Sequence, residues 1–355
     1  MRIVLILIFM FSLPSKLWAA DCEKQDLQNA YIPHFAKLFT IKYFENFKIV
    51  ESGNDHFIVA DKLPLKCVTR LPVFTAHTKR FIATSTTHLP FLKQLNIEDK
   101  LVGFPGVRYI FSPKLRAQKI KDINFQLNPE ELISLKPDLV MAYSENLASI
   151  NRLDELRKLK IPLVLNRDFE EKHPLARAEW MVFSAVFFSK DLEAKKMFKS
   201  IEDSYLQTAE IVKTKKSRPK ILVGDIQNGK WATCGGQSDL AILIHDAGAE
   251  LLLKNDSNET QYISLEKILS IKEKPAFWLT QNSWMDLRAA KKDSRYKLFS
   301  SLPIYNNNKY LNEDGFNDYW ETGISRPDLL LKDIFNIMNT LSSAPSHLNW
   351  YKELK

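Results

Sequence analysis

The chain is poor in glycine, with ten residues in 355, it holds only three cysteines, and it has no block of like charge. So little glycine excludes collagen-like and flexible-linker compositions. A hydrophobic share of 45% against 26% charged residues excludes an intrinsically disordered chain. Basic residues exceed acidic ones, 50 to 42, but the two alternate along the chain, so the net charge of +8 leaves no footprint for nucleic acid. Gly-x-Gly-x-x-Gly, Gly-x-Ser-x-Gly and His-Glu-x-x-His are all missing. A near match to the phosphate loop, Gly224 to Lys230, continues with Trp231 where a magnesium-holding Ser or Thr belongs, which argues against nucleotide hydrolysis. Beyond residue 20, no apolar run reaches the ~18 residues of a membrane span.

The first 20 residues combine an early cation, Arg2, an apolar run over 3–13, a break at Pro14 and the small residues Ala19 and Ala20. This is the layout of an export signal, cut near Ala19 or Ala20. Asp21 stands where a lipid-modified Cys22 would want a small residue before it, so a lipid anchor at Cys22 is not expected. Removing the signal takes away Arg2 and Lys16 and lowers the charge from +8 to +6, a mild bias suited to anionic ligands. Export favours thiol pairing. Of three alternative pairings, Cys22–Cys67 is the expected one, tying the N-terminal arm to the body and leaving Cys234 free.

Short β-branched and aromatic runs separated by turn residues predict a small antiparallel meander within an N-terminal arm, residues 21–73. Alternating strand and helix patterns over 74–172 predict an α/β lobe with a parallel sheet. From 173 to 216 strand signals vanish and apolar residues recur at helical spacing, predicting one broken helix or two in succession, a spine between lobes. Strand and helix then alternate again over 217–355. Residues 264–279 echo 128–141, each an acidic helix start, a Lys/Pro turn and a strand. The fold class read from this pattern is α/β: two related parallel-sheet lobes on a helical spine, with a small N-terminal β meander, an architecture for gripping something in a cleft.

Aromatic residues Tyr109, Tyr143, Trp231, Trp284, Tyr319 and Trp320 fall at expected strand ends or loops, where α/β sheets present ligands. Arg108, Arg167 and Arg326 are similarly placed and offer planar forks for carboxylates. Cys234 precedes Gly235 and Gly236, where the backbone can come close to a ligand. Seven histidines, at 34, 56, 77, 88, 173, 245 and 347, never share a helix face, and His88 is the best single candidate for ligand contact. No catalytic group and no metal site is expected.

The motifs Phe81-Ile-Ala-Thr-Ser-Thr-Thr-His, Asn128-Pro-Glu-Glu-Leu-Ile-Ser-Leu-Lys-Pro-Asp, Gly235-Gly-Gln-Ser-Asp, His245-Asp-Ala-Gly-Ala and Arg326-Pro-Asp-Leu-Leu-Leu-Lys-Asp occur in that order. Together they resemble the periplasmic substrate-binding proteins of ABC importers for iron complexes and vitamin B12. The resemblance implies a monomeric, non-enzymatic carrier without a cofactor, located in the periplasm. It would hold a metal chelate such as a ferric siderophore, haem or corrinoid between its lobes. It further implies that Glu130 and Glu266 dock onto the ABC permease in the inner membrane. A carrier of bare zinc, manganese or iron is the alternative, and a secreted α/β hydrolase a remote one.

Overall fold

Five short strands open the computed structural model, which describes residues 21–144, 147–214, 217–292, 297, 301–339 and 347–355. The expected export signal lies outside these described residues. Strands β1 (Asn29–Tyr31), β2 (Phe39–Tyr43), β3 (Phe47–Ser52) and β4 (Asp55–Ala60) form an antiparallel meander, and β5 (Val73–Thr75) adds to β4 in parallel. Gly53 makes the β3–β4 turn at a φ of +58°, where a side chain would press on Arg167. A Cys22–Cys67 disulfide, with an S–S distance of 2.09 Å, fastens the N-terminal arm.

The N-terminal lobe is a parallel sheet of β6 (Phe81–Ala83), β7 (Leu101–Pro105), β8 (Lys121–Ile123), β9 (Leu139–Ala142) and β10 (Leu163–Leu165), in the order β10-β9-β6-β7-β8. Strands β6, β9 and β10 are buried along their whole length and therefore read as continuous apolar runs, as Leu139–Ala142 does. Helices α1 (Pro90–Gln94), α2 (Pro113–Arg116), α3 (Pro129–Ser134) and α4 (Leu147–Lys158) connect them. The first three each carry proline in the first turn, where its missing N–H costs nothing.

The spine is two helices, α5 (Pro174–Ala185) and α6 (Asp191–Lys213). Between them a tight turn over Val186–Phe188 ends at Ser189 with a φ of +54°. At ~1.5 Å per residue the 23 residues of α6 span roughly 35 Å. The N-terminal sheet packs on the spine through aromatic contacts, Phe39 against Trp180 of α5 at 4.9 Å and Phe74 of β5 against Phe187 of the turn after α5 at 5.8 Å between ring centres. One continuous core runs from these rings through α6 into the second lobe, including Ile221 and Leu331.

In the C-terminal lobe the chain runs through β11 (Lys220–Val223), a hairpin of β12 (Asp225–Gln227) and β13 (Lys230–Thr233), α7 (Asp239–Asp246), β14 (Glu250–Leu251), β15 (Gln261–Ser264) and α8 (Leu265–Leu269). It continues with β16 (Trp278–Thr280), α9 (Leu287–Lys292), β17 (Ile304–Asn306), α10 (Pro327–Asn339) and β18 (Lys352–Glu353). The main sheet has the order β14-β11-β16-β17-β18 and is parallel except for β18 at its edge. Helix α9 starts at Leu287, and Trp284 just before it is buried in the core. Among the described residues no helix is long and apolar enough to cross a membrane.

Candidate functional site

In parallel sheets the loops after the strands' C-terminal ends gather on one side and form the binding face. Here those loops come from both lobes: Thr84 after β6, Gly106 after β7 and Tyr143 after β9 on one side, Gly224 after β11 and Gln281 after β16 on the other. Of the cavities at these ends, two are the larger. The first, about 260 Å³, is lined by Arg177 of α5, by Cys234, Gly235, Ser238 and Asp239 at the start of α7, and by Tyr319 and Trp320. The second, about 420 Å³ on the N-terminal lobe, is walled by Phe125, Tyr143, Thr84 and Arg152.

Ser238 caps α7, its hydroxyl donating to the Gly235 carbonyl at 2.7 Å and accepting from Ala241 N–H. Gly235 and Gly236 are required by their own surroundings, since a side-chain carbon on them would lie 2.4 Å from Ser257 O and 1.9 Å from Asn255 O. The close approach expected of these glycines is thus to residues 255–259, although Gly235 still lines the cavity. Burial pushes the Cys234 thiol up to about 11, so it stands there as a neutral thiol. Tyr319 is 3% exposed and stacks edge-on against Trp320, which is 47% exposed, with ring centres 4.9 Å apart. Burial also raises the Tyr319 phenol above its ordinary range, keeping it a hydrogen-bond donor.

Several residues expected at the ligand are placed elsewhere. Trp231 is fully buried, its Nε1 donating to the Val223 carbonyl, and Trp284 is buried beside Trp278, so both are core residues of the C-terminal lobe. His88 is buried in a single helical turn after β6 and lines neither cavity. Burial pushes it down to about 4 despite the opposing field of Asp168, so it is neutral. Arg167 turns toward Gly53 of the meander and pairs with Glu170 at 2.8 Å. Arg326 grips Asp328 with two hydrogen bonds, at 2.9 and 2.8 Å. Glu130 and Glu266 are exposed in the first turns of α3 and α8.

Arg108 and Tyr109 meet the other lobe. Tyr109 lies 4.3 Å from Phe316, ring centre to ring centre, and the Arg108 guanidinium stacks over both rings. Residues 312–321 of the C-terminal lobe form a strap over the N-terminal lobe. Asn312 Nδ2 donates to the carbonyls of Arg108 and Ile110 at 2.8 and 2.9 Å, and Arg116 pairs with Asp314 at 2.6 Å. Glu321 accepts from Phe111 N–H at 2.6 Å and Ser112 N–H at 3.2 Å. Sequence reading picked out Tyr319 and Trp320 at the end of the strap but not its contact with the other lobe, because the polar residues Asn312, Asp314 and Glu321 look like any surface loop.

Burial pushes the Glu321 carboxyl up to about 7, with Asp318 adding to the rise and the two N–H donors and Lys93 opposing it. A carboxyl raised in the closed state binds its proton more tightly there than when solvated near 4.5. The strap contact is therefore fully favoured below about pH 4.5 and weakens as pH rises through about 7. Small-angle scattering across that range is expected to show lobe separation growing with pH in the unliganded protein, and a flat profile for Glu321→Gln.

Arg177 is the cavity residue that pattern reading missed. It sits between the buried Ala176 and Ala178, with the buried Glu179 two residues on, and charges within a run of buried residues were the available signal. Its Nη1 donates to Asp239 at 2.5 Å, whereas its Nε is buried without an acceptor. Among the described residues no group of three or more His, Cys, Asp or Glu side chains is arranged to hold a metal ion.

The periplasmic binding protein family matches residues 82–309, and the chain belongs to that family. Among solved structures, a periplasmic heme binding protein from Pseudomonas aeruginosa superposes with a TM-score of 0.55 at 14% identity, covering 78% of this chain and 98% of the other. The periplasmic vitamin B12 binding protein BtuF of Vibrio cholerae gives 0.53 at 12% identity over 75% and 98%. These likenesses establish the two-lobed fold. An uncharacterized lipoprotein of Methanocaldococcus jannaschii is 23% identical over 277 residues, 73% of this chain and 65% of the relative.

Proposed function

We propose that the protein is an exported solute-binding component of an ABC importer. It captures an iron complex or related chelate, of the ferric siderophore, haem or corrinoid kind, between its lobes and hands it to the permease. The observation that carries this reading is the cavity lined by the spine, the start of α7 and residues 319–330 of the C-terminal lobe, where the Trp320 carbonyl on its wall accepts from the Thr86 hydroxyl of the N-terminal lobe at 3.3 Å. Family membership and the haem- and B12-binding proteins with this fold support the ligand class. Capture needs no chemistry from the protein, and the neutral Cys234 thiol suits a wall better than a nucleophile. The export signal expected over residues 1–20 supplies the route to the periplasm, where the carrier acts as a monomer without nucleic acid. Exposed acids on each lobe, Glu130 and Glu266, supply the permease contact.

Trp320, half-exposed on the cavity wall, is the natural reporter. Titrating the purified protein with ferric siderophores, haem, cobalamin and free metals is expected to quench tryptophan emission with a chelate, and Trp320→Phe is expected to remove most of that change. Quenching by free zinc or manganese alone would replace this reading with a bare-metal carrier.

A further inference from the structure

A cavity of about 400 Å³ lies outside the lobe cleft, where the N-terminal sheet meets the N-terminal lobe. One wall is the start of β4 and β5, with Phe57 and Val73, and the other is the end of α4 and the start of β10, with Arg157, Lys160 and Leu163. Strands β5 and β10 are the outermost strands of two different sheets, so the cavity opens where both sheets end. The cleft loops follow the C-terminal ends of the strands, whereas this cavity takes in residues that precede β10. The family match begins at residue 82, so the first wall is built by residues outside it. Phe57 and Leu163 are buried, while Val73 is 38% exposed, an apolar side chain left open at the sheet edge. Two of the charged lining residues cancel, since Arg157 donates to Asp55 at 2.7 Å, and to Asp154 at 3.1 Å. His56, exposed on the first wall, lies 3.9 Å from Glu51. Lys160 is exposed just past the end of α4 and has no acid partner among the described residues. An apolar interior thus opens beside one uncompensated cation.

We propose that this cavity is a second ligand site, separate from the cleft, for a free fatty acid. The acyl chain lies among Phe57, Val73 and Leu163, and the carboxylate accepts from Lys160. A volume of about 400 Å³ falls within the ~300–1,000 Å³ of small-molecule sites, and it holds one acyl chain, not the two of a bilayer lipid. An added polypeptide strand fits less well, because β5 and β10 have three residues each, too short an edge for a stable ladder. A cationic head group would be repelled by Lys160, which selects an anion. The assignment is independent of what the cleft binds.

Calorimetric titration of the intact protein with octanoate, decanoate and laurate, each below its micellar concentration, tests it, with decyltrimethylammonium as the head-group control. Affinity is expected to rise about fourfold for each methylene buried along the series. Decanoate is expected to bind at least tenfold tighter than decyltrimethylammonium, and Lys160→Glu to weaken decanoate about tenfold and to favour the cation. Val73→Trp, which fills the cavity from a half-exposed edge position, is expected to weaken laurate at least tenfold. No binding of any of the three acids, or equal binding of the cationic probe by the unaltered protein, would overturn the proposal and leave the importer reading standing. Laurate binding untouched by a folded Val73→Trp variant would place the acid elsewhere and overturn it as well. Binding to phosphatidylglycerol vesicles without binding of laurate would mean a membrane contact in its place. The chain-length series and the head-group comparison require no variant, so a poorly folded mutant does not protect the idea.

Discussion

Reversing Glu130 and Glu266 together to lysine is expected to abolish ligand-dependent stimulation of the permease ATPase, with ligand affinity unchanged within about twofold and stability within ~0.5 kcal/mol. The two acids occupy equivalent places: Asn128 caps α3 two residues before Glu130, and Ser264 caps α8 two residues before Glu266. Both carboxylates are exposed and neither has a partner among the described residues. Glu131, the next residue, shows the contrast, since it accepts from Asn124 N–H at 3.1 Å and lies 3.9 Å from Lys121 Nζ. A helix start favours an acid by only ~0.3–1 kcal/mol, too little for its loss to matter to the fold. A desolvated charge pair at a binding surface is different, because placing lysine against a basic partner turns attraction into repulsion and costs several kcal/mol. The measurement is ATPase activity in proteoliposomes carrying the cognate permease, with single reversals expected to give intermediate losses. Full stimulation by the double variant would show that docking uses other surfaces.

The elements that sequence pattern revealed are those whose periodicity is set by burial. The apolar strand Leu139–Ala142 and the spine over residues 174–213 could be read directly, since continuous apolar runs and helical spacing follow from which faces are covered. The hairpin Asp225–Gln227 and Lys230–Thr233 carries no strand pattern of its own, because its residues resemble a phosphate-loop turn and pairing with β15 completes the sheet. The two-residue strand Lys352–Glu353 carries no pattern of its own. It is set by Asp333, 0% exposed, which accepts from the amides of Asn349, Trp350 and Tyr351.

Ligand-site residues were legible only as positions after strands. Whether Trp231 faces a cleft or a core depends on one register choice in its strand, since neighbouring side chains point to opposite faces. Pairing with Ile226 and Ile263 sets that choice and turns it inward. The arginines were read as open forks because their acid partners lie either too close in sequence to stand out, as Asp328 does beside Arg326, or far away, as Asp239 does from Arg177.

The largest loss of stability from a single substitution is expected at Glu179, which lies two residues after Arg177 and is 0% exposed. Its carboxylate accepts four hydrogen bonds: Tyr31 hydroxyl at 2.7 Å and the backbone N–H groups of His34, Phe35 and Ala36, each at 2.9 Å. Residues 34–36 lie between β1 and β2, so these donors have no strand to pair with, and an unpaired buried N–H costs ~1–3 kcal/mol. Glu171 does the same for Lys37 and Leu38 while also holding Trp180 Nε1, so two carboxylates fasten the meander to the spine. Glu179→Ala removes one charge and strands several donors at once, which places it among the exceptional destabilisations, about 4 kcal/mol. Glu179→Gln keeps the shape, but its NH2 must face an N–H donor, so a loss of roughly 2 kcal/mol is expected. Urea unfolding measures both, and hydrogen exchange at residues 34–36 is expected to accelerate before the rest of the fold responds. Because Arg177 shares that stretch of α5, the same variants are expected to weaken ligand binding even under conditions where the protein stays folded. A loss under about 1 kcal/mol for Glu179→Ala would mean that water can take over all four donors and that packing on Phe39 and Phe74 alone holds the meander in place.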